Sequence, residues 1–144
     1  MADWEFVRGA EQGLEGAVIM NFEVTTDFTE ADLDAKTLCG VLESTGTTPQ
    51  MGQGSENDPV AGFLISLDES DQHGSFVVAG PGPECLYTAD ANEDPDVGDA
   101  VTANGIGRVK QAATLADTGA GARALGRGIV FWKDTAATSC KVIL

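Results

Sequence analysis

The chain has few basic residues, and most of them lie near its end. Its 144 residues include 23 Asp and Glu but only eight Lys and Arg, giving a formal net charge of −15 at pH 7. Residues 1–100 hold 21 acids against two bases, whereas residues 101–144 hold two acids against six bases. Binding to nucleic-acid phosphates or to anionic lipids requires a basic surface. The composition therefore argues against nucleic acid and membrane as partners.

Long apolar runs are also missing. No run approaches the roughly 18 residues that a membrane-spanning helix needs. The first residues, Met-Ala-Asp-Trp-Glu-Phe, contain neither the basic nor the apolar region of a signal peptide. We therefore expect no signal peptide and synthesis in a host cytoplasm.

Candidate metal ligands and nucleophiles are scarce. The three cysteines, Cys39, Cys85 and Cys140, are widely spaced, and His73 is the single histidine. A structural zinc site needs about four such ligands in close spacing, and no Gly-x-Ser-x-Gly nucleophile motif is present. The sequence predicts free, mostly buried thiols, no metal, no cofactor and no enzymatic activity.

Short apolar runs between turn signals, together with 18 glycines, are typical of an all-β protein. We predict strands at residues 17–24, 37–42, 60–67, 75–79, 85–87, 99–103, 106–112, 128–132 and 139–144. In the first strand, alternation places Val18, Met20, Phe22 and Val24 on one face. The predicted fold is a small β-barrel or sandwich, built from two similar short β units, with an N-terminal arm and little helix.

Between the strands, three segments have their own signals. Thr29 and Asp32 have the spacing of a capping pair and predict one helical turn. Asn104-Gly105 predicts a hairpin turn. Residues 44–57 are polar and contain three glycines, which predicts a loop. Residues 112–125 are rich in alanine but interrupted by glycine, which allows one short helix or an ordered loop.

The sequence also contains an internal similarity. Residues 34–41 (Asp-Ala-Lys-Thr-Leu-Cys-Gly-Val) match residues 99–106 (Asp-Ala-Val-Thr-Ala-Asn-Gly-Ile) at four of eight positions. Gly62 and Ile65 match Gly126 and Ile129, and the Val-Val pair at 77–78 matches Val-Ile at 142–143. These offsets of 64 or 65 residues predict an arm at 1–16 and one β domain at 17–144. Within the domain, repeat units at about 34–80 and 97–144 flank an acidic linker at 88–96.

The second unit carries a resemblance to a known family. A Gly-Asp-x-Val strand at 98–101 precedes a Gly-Arg-Val strand at 107–109, followed by a Gly-Arg-Gly-Ile-Val strand at 126–130 and a closing Val-Ile-Leu strand. This series resembles the capsid decoration, or cement, proteins of tailed bacteriophages over residues 34–144.

The resemblance implies a structural virion protein, made in the host cytoplasm, that binds the outer surface of the phage head. Such proteins bridge capsomers and stabilise the expanded capsid, usually as trimers. The implied partners are the major capsid protein and further copies of the same chain. The alternative is a glycan- or receptor-binding β module on a virion or cell surface, against which the 6% aromatic content counts.

Contact residues are expected in two regions. In the arm, Trp4, Phe6 and Val7 alternate with charged residues, and Arg8 follows them. This pattern predicts a strand that either adds to a neighbour's sheet or forms an edge of the chain's own barrel. In the second unit we expect capsid or inter-subunit contacts from Trp132, Arg123 and Arg127.

Two acidic clusters have simpler interpretations than catalysis or metal binding. Residues 90–96 fill three positions of a calcium loop, but Pro95 and Val101 occupy positions that require Gly and Glu. Residues 68–73 combine carboxylates with His73, but they coincide with a turn between two predicted strands. We therefore predict a solvated linker and a solvated hairpin. The opposite charges of the two units predict attraction between protomers or to the capsid, weakened by salt.

Overall fold

Ten strands and one short helix make up the described part of the chain, and this confirms the predicted all-β fold. The computed structural model describes residues 16–44, 47–112 and 126–144. The elements in order are β1 (Val18–Val24), α1 (Glu30–Ala35), β2 (Cys39–Ser44), β3 (Pro49–Gly52), β4 (Gly62–Asp68), β5 (His73–Ala79), β6 (Cys85–Leu86), β7 (Val101–Ala103), β8 (Val109–Gln111), β9 (Ile129–Asp134) and β10 (Ser139–Ile143). The predicted arm lies outside the described residues, as does 113–125 within the alanine-rich segment.

The first five strands close into a barrel in the order β1-β3-β2-β4-β5. Strand β1 runs antiparallel to β5 and parallel to β3, while β2 runs antiparallel to β3 and β4. The helix α1 connects β1 to β2. It begins after Thr29, whose backbone N–H donates to the Asp32 carboxylate at 2.7 Å. The predicted helical turn and its capping pair are confirmed.

Strand β3 was not predicted, and the loop assigned to residues 44–57 is wrong at this point. Met51 is 1% exposed and pairs with Val24 on one side and Leu42 on the other. One apolar side chain among Pro, Gln and Gly gives no alternation to detect in the sequence. The strand forms because the barrel needs it to join β1 to β2.

The last five strands pair in the same order as the first five. Strands β6, β10 and β9 form one sheet, and β7 and β8 form a hairpin. Isolated bridges join the two, because Tyr87 pairs in parallel with Val109 and Ala100 pairs with Ile129. The order β6-β8-β7-β9-β10 therefore repeats β1-β3-β2-β4-β5, with the parallel contact in the same place. We call β1–β5 the N-terminal half and β6–β10 the C-terminal half.

The hairpins β4–β5 and β9–β10 match residue for residue. Leu64 pairs with Phe76, and Val130 pairs with Val142, a shift of 66 residues on both strands. Each hairpin then has a bulge, which leaves Ile65 unpaired in one and Phe131 in the other. Both turns end on a residue with φ of 54°, Gln72 and Thr138. In both, the Asp that opens the turn accepts a hydrogen bond from the N–H three residues later.

This register corrects the sequence alignment of the repeat. The shift of 66 makes Gly128, and not Gly126, the counterpart of Gly62. Asp34 and Ala35 end the helix α1, whereas Asp99 and Ala100 lead into β7, so that match does not join equivalent positions. The bounds of the arm, domain, units and linker stay predictions.

Both halves contribute to one hydrophobic core. The core contains large side chains of the barrel and the valines of the C-terminal half, namely Phe28, Met51, Phe63, Leu64, Phe76, Val101, Val109, Val130 and Val142. Cys39, Cys85 and Cys140 are fully buried and free, as predicted. Burial raises the pKa of Cys39 first, with the nearby Cys140 adding to the effect, so this thiol stays protonated.

Candidate interaction surface

Two groups of large apolar side chains are exposed on the strands. The first, which we call the β1 patch, contains Val18, Ile19 and Met20, which are 52%, 45% and 50% exposed. The predicted apolar face of this strand therefore holds only at its far end, where Val24 is buried. Contiguous exposed apolar residues are typical of a surface that contacts another molecule.

The second group, which we call the β9 patch, contains Ile129, Phe131, Trp132 and Ile143. These residues are 37% to 45% exposed. Strand β9 lies at the edge of its three-stranded sheet, and the bulge at Phe131 turns this side chain outward. Lys141 lies over the ring of Trp132, with Nζ 5.2 Å from the ring centroid. Trp132 therefore lies at the surface, in the patch that the sequence indicated only by this residue.

Arg127 lies at the junction of the two halves. Its guanidinium donates hydrogen bonds to the backbone carbonyls of Val60 and Ala61, both at 3.1 Å, and of Val78 at 2.8 Å. These carbonyls flank β4 and β5, so Arg127 ties the C-terminal half to the barrel. The sequence could not indicate this role, because the acceptors are backbone oxygens. A contact from Arg127 to another chain stays a prediction.

Five of the predicted contact residues cannot be placed. The four arm residues and Arg123 lie outside the described residues. Their assignment as capsid or inter-subunit contacts stays a prediction.

The basic residues of the C-terminal half form ion pairs within the chain. The Lys110 side chain is 6% exposed and donates to Glu56 at 2.8 Å and Glu93 at 3.1 Å. Lys133 donates to Asp96 at 2.8 Å and Asp94 at 3.3 Å. Burial acts to lower the pKa of Lys110, but the hydrogen bonds from the two glutamates outweigh it and raise the pKa.

These ion pairs give the uneven charge an internal role. Glu93, Asp94 and Asp96 belong to the predicted acidic linker, which the two lysines hold against the C-terminal half. Sequence analysis treated this segment as solvated and missed the pairing, because its partners are 17 or more positions away. Repulsion among the linker carboxylates is thereby reduced.

No group of three or more potential metal ligands is found among the residues that the structure describes. The hairpin turn at His73 is exposed as predicted, and the His73 ring Nδ1 lies 2.9 Å from the Asp71 carbonyl. Within the described ranges, no helix is long and apolar enough to cross a membrane.

Comparison with known proteins adds no family assignment. No protein-family model matches the chain. No curated protein matches it either.

Proposed function

We propose that this chain is a decoration protein of a tailed-phage head. It binds the outer surface of the expanded capsid, bridges capsomers and stabilises the shell. Its partners are the major capsid protein and further copies of itself, most simply in a trimer. It acts without catalysis, through protein contacts alone.

One observation carries the proposal. The Gly-Arg-Gly-Ile-Val segment at 126–130, part of the resemblance to decoration proteins, leads into β9, where the β9 patch is exposed. A small β protein with exposed apolar side chains on an edge strand is suited to contacts with other proteins. Several weak contacts, made at once by an oligomer, give tight binding to a repetitive shell.

Binding that is specific to the expanded shell would stabilise that state by mass action. The chain would then raise the temperature at which expanded heads open. Its acidic character suits the exposed face of a particle, because net charge of one sign keeps particles apart in solution.

A sedimentation experiment tests this proposal. Purified chain is mixed with undecorated expanded heads and, in parallel, with unexpanded heads of the same phage. We expect saturable co-sedimentation with expanded heads and little with unexpanded ones. Replacing Trp4 and Phe6 by Ser should weaken binding if the arm contacts the capsid, whereas Ile106→Ser, an exposed control at 63%, should not. Wild-type chain that stays in the supernatant at micromolar excess would refute the proposal.

The alternative is a glycan- or receptor-binding module. Phe131 and Trp132 are adjacent and exposed, and aromatic faces beside polar groups bind sugars and peptides. A glycan array distinguishes the two: specific hits that are lost with Trp132→Ser would favour the alternative, and an array without hits would remove glycan binding.

A further inference from the structure

The two halves differ in burial at positions that their hydrogen-bonded register makes equivalent. Leu64 and Phe76 of the N-terminal half, and their counterparts Val130 and Val142, are all buried. On the neighbouring positions of the same hairpins the halves diverge. Phe63 and Val77 are 0% exposed, whereas their counterparts Ile129 and Ile143 are 44% and 45% exposed.

The C-terminal half covers the outer face of the barrel at Phe63 and Val77. The backbone at Gly82 is so close that an added Cβ would lie 3.0 Å from the Phe63 ring. Arg127 hydrogen-bonds to the carbonyls beside these two residues. In the C-terminal half the corresponding face is the β9 patch, and it is left open.

The segment that does the covering also has a counterpart in the N-terminal half. Pro81 pairs with Ile143, and Gly82 donates to the carbonyl of Val142 at 2.8 Å. In the N-terminal half, Ile19 pairs with Val77, and Met20 pairs with Phe76. The start of β1 therefore occupies the place of residues 81–82.

This counterpart is the β1 patch, which is exposed. Within one chain, the N-terminal half thus presents an apolar segment at the place from which residues 81–82 cover Phe63. The C-terminal half presents the uncovered equivalent of Phe63. The two exposed patches have the same relation to each other as two surfaces that already meet inside the chain.

We propose that the β1 patch of one copy covers the β9 patch of a second copy, repeating between chains the contact that joins the two halves. Such an interface is head-to-tail, and it closes into a ring if the rotation between neighbours permits. A ring of three chains would contain six similar halves around one axis. The inference goes beyond the proposed function and does not depend on what the ring binds.

Two variants that break one patch each provide the test. Met20→Glu alters the β1 patch and leaves the β9 patch intact, and Ile129→Glu does the reverse. Burying an Ile-sized side chain in such an interface strengthens binding at least about tenfold, and a carboxylate would remove this gain. Ile106→Glu adds the same charge at an exposed site outside both patches and serves as the control.

Sedimentation equilibrium of the full-length chain measures the outcome. We expect a closed oligomer for the wild type and for Ile106→Glu, and monomers for each patch variant alone. An equimolar mixture of the two patch variants should form one-to-one dimers, since one intact patch remains on each. Circular dichroism confirms that each variant is folded.

Several outcomes would overturn the inference. One is a wild type that remains monomeric at about 100 μM, where a micromolar interface would be filled. Another is association that persists in both patch variants. A third is a mixture that stays monomeric, as expected if the chain's own arm or another protein covers the β9 patch. Ring formation without head binding would instead refute only the proposed function.

Discussion

The difference in burial between equivalent positions can be measured as a difference in stability. Phe63→Ala removes a fully buried aromatic ring at the junction of the halves. Substitutions of this kind cost about 3–5 kcal/mol, because they lose apolar burial and leave a cavity. Ile129→Ala, at the equivalent position, removes a side chain that is 44% exposed in the single chain. Its cost should be about 1 kcal/mol, since burying a whole Ile contributes about 1.5–3 kcal/mol.

Urea denaturation of dilute protein, followed by circular dichroism, tests this prediction. At concentrations where the chain is monomeric, Phe63→Ala should lower the free energy of unfolding by at least about 2 kcal/mol more than Ile129→Ala. At higher concentration the cost of Ile129→Ala should grow, because association adds stability that this variant loses. Equal costs in the monomer would refute the argument that only one of the two equivalent faces is covered.

Three further substitutions test other parts of the account by the same denaturation assay. Lys110→Met should cost about 2–3 kcal/mol, because it leaves two carboxylates without their buried cation, whereas Lys141→Met should cost under about 1 kcal/mol; equal effects would contradict the role of the buried lysine. Gly107→Ala should destabilise more than Gly98→Ala: both have positive φ, but a Cβ at Gly107 would lie 2.8 Å from a carbonyl oxygen and one at Gly98 would touch nothing. Burial, followed by the neighbouring Asp27 and Asp58, raises the pKa of Glu43. Its charge therefore destabilises the fold at neutral pH, and Glu43→Gln should add about 0.5 kcal/mol there. The gain should shrink as pH falls and the native carboxyl takes up its proton, and a gain that is independent of pH would contradict the cause given.

Much of the fold could be predicted because its signals are local. The helix α1 follows from the spacing of Thr29 and Asp32, and the turn between β7 and β8 follows from Asn104-Gly105. In that turn the Asn104 side chain accepts hydrogen bonds from two later N–H groups, and Gly105 has φ of 91°. Strand β3 could not be predicted, because Met51 is buried by strands that are distant in sequence.

The repeat was detectable in the sequence, but its register was not. The shift between halves differs from strand to strand: 66 residues separate Leu64 from Val130, while 61 separate Leu38 from Asp99, the acceptors of their N–H groups. A constant offset aligns glycines and valines that lie on different faces. Hydrogen bonds between strands identify the true counterparts.

The candidate surface was predicted least completely. Trp132 marked the β9 patch, but Ile129 and Ile143 have the sequence of an ordinary core strand. Whether such a side chain is buried depends on what the other half covers, which no local pattern records. The role of Arg127 was hidden for the same reason, because its partners are carbonyls of the barrel.

The most direct test of the decoration account is a cryo-electron microscopy difference map of expanded heads with and without the chain. The account predicts added density on the outer surface of the shell, at sites where capsomers meet, in rings of similar lobes with two lobes per chain. Heads that show no added outer density at a saturating concentration of the chain would contradict it.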